Sequence, residues 1–123
     1  MVEFALTLPL LALMLFGIIQ YGFLFAAYIT IRNASAVGAR AYVVSQPPNS
    51  SVGVALARKA LGPMLNENQP GLVITPNIVT GVSGGDAYSI TVSYPVPLII
   101  SFVVPPFVGG SSSKTLTATT IAR

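Results

Sequence analysis

The chain contains no cysteine, no histidine and no tryptophan, and only 7% of its 123 residues are charged. Without cysteine and histidine it can form neither disulfides nor the zinc sites built from those residues, and it lacks imidazole bases and thiol nucleophiles. Its three acids, Glu3, Glu67 and Asp86, lie far apart in the sequence, and neither GxGxxG nor GxxxxGK[ST] occurs. We therefore expect no enzyme, and no cofactor or metal site is predicted.

Positive charge is only slightly in excess, since six Lys and Arg residues against three acids give a formal net charge of +3. The bases are dispersed and form no stripe of the kind that binds nucleic acid, so no nucleic-acid partner is expected. Ordinary soluble domains carry about 25% charged residues. A surface with so little charge indicates that a membrane or other subunits cover much of the chain.

One long uncharged run dominates the chain, because residues 4–31 contain no Lys, Arg, Asp or Glu. As an α-helix this run extends for roughly 42 Å, whereas the hydrocarbon core of a bilayer is about 30 Å thick. A secretory signal has a shorter apolar region, of about 7–15 residues. The run therefore predicts a membrane-spanning helix.

The residues on either side of the run leave its orientation open. Glu3 precedes the run and Arg32 follows it. Lys and Arg usually mark the cytoplasmic flank, so Arg32 and the later bases would place the C-terminal body inside the cell. The alternative is that a basic leader once preceded residue 1 and has been removed.

Several residues within the run suit contact with another helix. Gly22 and Ala26 form a small-xxx-small pair that permits close approach, and Gly17 adds another flat position. Gln20 can hydrogen-bond a neighbouring helix or simply be tolerated. Pro9 removes one backbone hydrogen bond and is expected to kink or loosen the first turns. The aromatic residues near the end of the run fit either a membrane-interface belt or intersubunit packing. They are Tyr21, Phe23, Phe25 and Tyr28.

The first helix is predicted to continue to about residue 45, because no strong breaker occurs before Gln46-Pro47-Pro48. Its extension beyond the apolar run carries small residues at helical spacing, Ala34, Gly38 and Ala41, which suit tight packing on a domain below.

A second, shorter helix is predicted over residues 51–61, with Asn49 or Ser50 as its N-cap. Apolar spacing predicts that Val52, Leu56 and Ala60 face the core.

The remainder of the chain has the alternation of β-strands. Residues 87–94 alternate cleanly, with Tyr88, Ile90, Val92 and Tyr94 on one face and Ser89, Thr91 and Ser93 on the other. Residues 72–79 and 114–121 are β-rich, and Pro76 makes its strand an edge strand or one that carries a bulge. The predicted fold class is α+β, with a long N-terminal hydrophobic helix (about 1–45), a short helix and a small antiparallel three-stranded sheet. The apolar, proline-rich segment 95–108 either fills the space between sheet and helix or is an exposed patch that a neighbour covers.

Four sequence features occur in order along the first 43 residues. They are Val2-Glu3-Phe4-Ala5, Leu8-Pro9-Leu10, the Phe-Gly-Ile-Ile-Gln-Tyr-Gly run at 16–22, and Gly38-Ala39-Arg40. In these features the chain resembles the TadE-like family of pilus proteins. The C-terminal half is similar only in layout, with strands that end in an alternating Thr/Ala strand and an Arg.

The resemblance implies a type IV pilin-like subunit of the tight-adherence class. Such a subunit is made with a short basic leader, which a prepilin peptidase removes, and it sits in the bacterial inner membrane as a single-pass protein. The pilus assembly machinery then draws it into a cell-surface filament made of copies of itself. Residues 1–32 would form the transmembrane and filament-core helix, and residues 33–123 a small α+β head.

Together with the helix pattern, the resemblance implies a set of subunit-docking residues. They are Glu3, Phe4, Pro9, Gly17, Gln20, Gly22 and Ala26. The chain departs from the family at two of them, since the family acid is the fifth mature residue where Glu3 is third, and Gln20 stands where the family often has Glu. A carboxylate inside an apolar bundle costs about 3 kcal/mol, and the N-terminal amine of an adjacent subunit would offset this cost. The alternative is that Glu3 lies in the headgroup region, where the helix dipole favours it.

Two other classes of function remain open. One is a minor pseudopilin or membrane-anchored accessory protein of pilus assembly or secretion. The other is an ordinary single-pass protein with an unrelated extracytoplasmic binding domain. The triplets that begin at Asn33 and Asn49 and the Thr/Ser-rich C-terminal end also permit glycosylation, although such triplets are common by chance.

Overall fold

Two helices are followed by three strands in the computed structural model, which describes residues 2–62, 64–82, 85–97 and 113–122. The elements are α1 (Val2–Val44), α2 (Ser50–Leu61), β1 (Val73–Val82), β2 (Gly85–Pro97) and β3 (Ser113–Ala122). This arrangement confirms the predicted α+β class. Most of the apolar segment predicted at 95–108 lies outside the described residues.

The first helix, α1, is one continuous element of 43 residues, about 64 Å long at 1.5 Å per residue. It runs through Pro9 and ends at Val44, shortly before the two prolines that were expected to stop it. The predicted boundary between residues 32 and 33 falls inside this helix, and the division into two domains stays a prediction.

The second helix, α2, begins where its capping residue predicts. The Asn49 side chain accepts a hydrogen bond from the backbone N–H of Ser51 at 3.0 Å, which satisfies one of the free donors at the helix start. Arg58 and Lys59 lie in its last turn, where positive charge suits the helix dipole.

The face that α2 turns inward differs from the prediction by one residue. Its buried residues are Gly53, Ala57 and Leu61, whereas Val52 and Leu56 are 39% and 40% exposed. Of the predicted face, Ala60 alone packs against the core, and it is only partly buried. The prediction was wrong because apolar periodicity gives weight to bulky residues, while the close approach of α1 at Gly53 and Ala57 leaves room only for small ones.

The three strands form one antiparallel sheet in the order β1-β2-β3. Pro76 lies in β1, which is an edge strand of the described sheet as predicted. Along β2 the alternate residues Ile90, Val92, Tyr94 and Val96 are buried, so the apolar side of the predicted alternation is the one that packs inward. The other face carries hydroxyl side chains, and those of Thr91 and Thr119 lie 2.9 Å apart.

The inward face of the sheet packs on α1, and β2 runs antiparallel to that helix. The ring of Tyr88 packs against that of Tyr42 at a tilt of 59°, with centroids 4.7 Å apart, and two residues later Ile90 accepts a hydrogen bond from Ser35. Rising residue numbers in β2 therefore correspond to falling numbers in α1. From Ile90 to Val96 the strand advances about 20 Å, which corresponds to about 13 residues of helix. The described end of β2 accordingly lies level with residues 20–27 of α1.

The helices α1 and α2 touch at two glycines. A Cβ atom added to Gly38 would lie 2.8 Å from the Ala57 Cβ and 2.9 Å from the carbonyl oxygen of Gly53. A Cβ atom added to Gly53 would lie 2.9 Å from the carbonyl oxygen of Gly38. Real Cβ atoms do not approach so closely, so the helix backbones meet here without side chains between them. Of the small face predicted on α1, Ala34 and Gly38 are buried and Ala41 is half-buried.

Candidate functional site

The rest of the described chain covers α1 along one stripe that begins at Gln20. The buried residues recur every three or four positions, as expected for one side of a helix. They are Gln20, Ala27, Ile31, Ala34, Ser35, Gly38, Ala39 and Tyr42. Residues of α1 before Gln20 have no such stripe. We call residues 20–44 the covered half of α1 and residues 3–19 its uncovered half.

Beyond Glu3 at its start, the uncovered half is apolar on every side. Its Leu, Ile, Phe and Met side chains are between 45% and 76% exposed. They are Phe4, Leu6, Leu8, Leu10, Leu11, Leu13, Met14, Leu15, Phe16, Ile18 and Ile19. An apolar surface of this size is rarely left in water. A helix that is hydrophobic all round is buried in a membrane or among other helices.

The length and hydropathy of α1 fit a membrane anchor. The span from Glu3 to Val44 includes a window with a mean hydropathy of 2.1 and only 11% of that window is buried. Residues 4–19 alone extend for about 24 Å, somewhat less than the hydrocarbon core of about 30 Å. The first turns of the covered half must therefore contribute to any complete span.

Five of the predicted docking residues lie open on the described surface of α1, and one of them is Pro9, which is exposed. Glu3 and Phe4 occupy the first turn and are exposed. A Cβ atom added to Gly17 or to Gly22 would meet no atom within 4 Å. Gly22 is exposed and Ala26, one turn later, is half-buried. Together Gly22 and Ala26 leave a shallow recess in the helix surface, which we call the small side of α1.

Gln20 lies away from this recess. Its side chain is only 9% exposed, and its Oε1 atom has no hydrogen-bond partner among the described residues. At about 100° per residue, Gln20 points to the same side of α1 as Ala27 and Ile31, toward the head. The structure thus separates Gln20 from the two small residues with which the sequence grouped it.

A third side of α1 carries the aromatic residues Tyr21, Phe25 and Tyr28, and we call it the aromatic side. The spacing i, i+4, i+7 places them in one row, about 110° around the helix axis from the small side. The guanidinium carbon of Arg32 lies 5.9 Å from the centroid of the Tyr28 ring, within the range of a cation–π contact. From the sequence these aromatic residues were predicted only as a cluster near the end of the run. Their spacing of i, i+4 and i+7 also indicates that they share one side of the helix.

The two predicted glycosylation triplets occupy ordered positions. Asn33 is exposed in the middle of α1, but the Ser35 hydroxyl of its triplet is buried. It lies 2.9 Å from the Ile90 carbonyl oxygen and 2.8 Å from the Thr120 hydroxyl. Asn49 serves as the cap of α2, and its Oδ1 atom also accepts from the Ser51 hydroxyl at 2.7 Å. Glycosylation at either asparagine stays a prediction.

One sequence pattern with a catalytic meaning was missed. Residues 81–85 read Gly-Val-Ser-Gly-Gly, which matches the GxSxG pattern of hydrolase nucleophiles. That pattern works at a turn from strand to helix and needs a histidine base. The described strands before and after it in the sequence, β1 and β2, pair antiparallel, and the chain contains no histidine. We therefore assign it no catalytic role.

The exposed surface of α1 provides apolar area and a shallow recess, rather than side chains that could take part in a chemical reaction. Glu3 is the only Asp, Glu, Lys or Arg among residues 3–31. Among the described residues no group of three or more acids, cysteines or histidines could hold a metal ion. What this surface can do is bind lipid or pack against another helix.

Comparison with known proteins relates the N-terminal part of the chain to a protein family. The family model described as TadE-like protein matches residues 1–40, which confirms the resemblance identified from the sequence. The match covers 40 of the 123 residues, namely the uncovered half of α1 and most of its covered half. No curated protein matches the chain. No solved structure matches it.

Proposed function

We propose that the chain is a pilin-like subunit, anchored in the bacterial inner membrane by α1 and assembled from there into a pilus filament of the tight-adherence type. The observation that carries this proposal is the uncovered half of α1, which is apolar on every side and joined without a break to a packed head. The TadE-like match over residues 1–40 supports the same conclusion. A prepilin peptidase and a pilus assembly machinery would be its partners in this process.

The inner membrane and the filament both require an apolar surface on α1. In the inner membrane, lipid covers the uncovered half. Once the subunit leaves the membrane for a cell-surface filament, only other copies of α1 can cover that area. A surface with bulky apolar residues on all sides suits both states, because it does not require one particular partner.

The small side of α1 is the proposed contact between copies. Helices in a membrane gain no hydrophobic free energy by leaving lipid for one another, so they associate through close packing and polar contacts. Gly22 and Ala26 allow such close packing, and the space at Gly22 is open. Gln20, which points toward the head, does not belong to this contact.

Cysteine crosslinking tests this contact directly, because the natural chain has no cysteine. Gly22→Cys and Ala26→Cys place single thiols on the small side, and Phe25→Cys places one at the same depth on the aromatic side. We expect oxidised dimers of the full chain in membranes to be several-fold more abundant for the two small-side variants. Equal yields at all three positions would contradict a contact through the small side.

Glu3 is the proposed polar docking group, opposite the N-terminal amine of an adjacent subunit. The variant Glu3→Ala should leave membrane insertion unchanged and strongly reduce the amount of filament that can be sheared from the cell surface. Normal filaments from this variant would contradict the docking role. Sheared filaments in which this chain is only a trace component would instead favour a minor pseudopilin or an accessory protein.

A further inference from the structure

The aromatic side of α1 lies at a defined height above the start of the uncovered half. If Phe4 stands at one boundary of the hydrocarbon core, Tyr21 lies about 26 Å, Phe25 about 32 Å and Tyr28 about 36 Å further along the helix. The core is about 30 Å thick and the headgroup layer adds about 5–7 Å on each side. The three rings therefore fall at the far boundary of the core and in the headgroup layer beyond it.

The side chain of Arg32 is turned back toward this layer. The α-carbon of Arg32 lies about 6 Å beyond that of Tyr28 along the helix, yet its guanidinium carbon is 5.9 Å from the Tyr28 ring centroid. A long basic side chain that reaches back in this way brings its charge to the level of the lipid phosphates while its own backbone stays outside.

The head leaves Tyr21 and Phe25 of the aromatic side open at this height, while Tyr28 is 37% exposed. The stripe that contacts the head includes Ala27 and Ile31, whereas Tyr21 and Phe25 are 74% and 68% exposed. Because β2 runs antiparallel to α1, the described end of the sheet reaches the level of residues 20–27. Residues 20–27 lie about 24 to 35 Å beyond Phe4, so the end of the sheet reaches the far boundary of the core on one side of α1. The aromatic rings meet the same boundary on another side.

We infer that the aromatic side, Tyr21, Phe25 and Tyr28 together with Arg32, is a binding surface for phospholipid headgroups in the membrane-anchored form of the proposed function. Tyr rings are favoured in this layer because one end is apolar and the other polar. Arg32 supplies a positive charge for phosphate. This surface is continuous with the uncovered half, which lipid already surrounds.

Charge argues against a second copy on the same surface. Copies in one membrane share the same orientation, so a symmetric contact through the aromatic side would bring two Arg32 side chains together. No acid stands between residues 4 and 31 to separate them. Like charges in contact are unfavourable, whereas lipid phosphates have the complementary sign.

Single tryptophans can measure the depth of this surface, because the natural chain has none. The full chain is reconstituted in phosphatidylcholine vesicles with a fraction of phosphatidylglycerol, whose acyl chains carry bromine either near the headgroup or deep in the core. Phe25→Trp reports the aromatic side, Leu13→Trp the middle of the uncovered half, and Val44→Trp the end of α1, where Val44 is 78% exposed.

We expect Phe25→Trp fluorescence to be quenched more by the shallow bromine, Leu13→Trp more by the deep one, and Val44→Trp by neither. The Phe25→Trp quenching should also stay constant as the ratio of protein to lipid rises. The inference is overturned if Phe25→Trp behaves like Val44→Trp or like Leu13→Trp, or if its quenching falls with added protein because another copy covers the ring.

The result separates this inference from the proposed function. If Leu13→Trp is quenched by neither bromine, the membrane anchor itself fails and the inference fails with it. If Leu13→Trp reports the core but Phe25→Trp lies outside the headgroup layer, only the lipid surface is lost. Crosslinking through the small side and filament yield are measured independently and can still support the pilin-like subunit.

Discussion

The two halves of α1 share one helix and one set of backbone hydrogen bonds but differ in how they use their side chains. The uncovered half carries bulky apolar residues on every side, and the described head does not cover it. The covered half has small residues along one stripe, among them Ala27, Ala34 and Gly38, and packs closely on α2 and the sheet. One half of a helix can thus be surrounded by lipid or by other copies of the helix, while the other half packs against one complementary head.

The largest expected contrast between the halves comes from one substitution made at two positions. Ile31 is fully buried, whereas Ile19 is 57% exposed. Ile31→Ala removes buried atoms and leaves a cavity, so it should lower the free energy of unfolding of the head by about 3 kcal/mol. Ile19→Ala should change it by less than about 0.5 kcal/mol. Chemical denaturation in detergent, followed by near-ultraviolet circular dichroism of the tyrosines, measures both.

Equal losses at the two positions would remove the distinction between the halves. They would mean that the head also depends on contacts with residues before Gln20, and that the uncovered half is shorter than the exposed side chains indicate.

A smaller contrast is expected from the glycines. Gly38→Ala forces a methyl group to within 2.8 Å of Ala57 and 2.9 Å of the Gly53 carbonyl oxygen, which should lower the free energy of unfolding by about 2 kcal/mol. Gly17→Ala, in the uncovered half, meets no atom within 4 Å and should leave the head unchanged or stabilise α1 by up to about 1 kcal/mol through helix propensity. Thermal unfolding of the two variants in the same detergent compares them, and a harmless Gly38→Ala would contradict the direct contact of the two helix backbones.

The smallest contrast involves hydroxyl groups. The Ser35 hydroxyl can donate its one proton to the Ile90 carbonyl oxygen and accept from Thr120, at 2.9 and 2.8 Å. Ser35→Ala leaves the Ile90 carbonyl oxygen and the Thr120 hydroxyl without the Ser35 hydroxyl as a partner inside the head. It should lower the free energy of unfolding by about 1.5 kcal/mol. Among the described residues Thr7 donates a hydrogen bond to the Phe4 carbonyl oxygen alone, on an exposed turn and at 3.2 Å, so Thr7→Ala should lower the free energy of unfolding by less than about 0.5 kcal/mol. The same denaturation experiment measures both variants. An unchanged free energy of unfolding in Ser35→Ala would indicate that Thr120 finds another partner.

Much of the fold could be predicted from the sequence because it depends on local signals. The uncharged run fixed the start of α1, the two prolines at 47 and 48 ended it, and Asn49 capped α2. Alternation along β2 separated its apolar face from its hydroxyl-bearing face, and Pro76 limited β1 to an edge or a bulge, of which the edge is observed. Each of these signals acts within a few residues and needs no knowledge of the partner.

The inward face of α2 and the grouping of the candidate site could not be predicted in the same way. Gly53 faces α1 because Gly38 stands opposite, and only the packed structure brings these two residues together. Gln20 was grouped with Gly22 and Ala26 because all lie in one apolar run, yet it belongs to the stripe that the head covers. The point at which the head begins to cover α1 depends on the length and direction of β2, which the residues of α1 do not encode.

The unbroken helix also determines how the molecule responds to a pull. Tension on the N-terminal end travels along the hydrogen bonds of α1 into the head, since no loop lies between them. There the axis of α1 runs alongside β2, so the force acts as shear along their shared surface. Many side-chain contacts must then slip together rather than separate one after another, and the interlocked backbones at Gly38 and Gly53 oppose the first step. Under tension along a fibre, the same side-chain packing that stabilises the head would keep the head attached to α1.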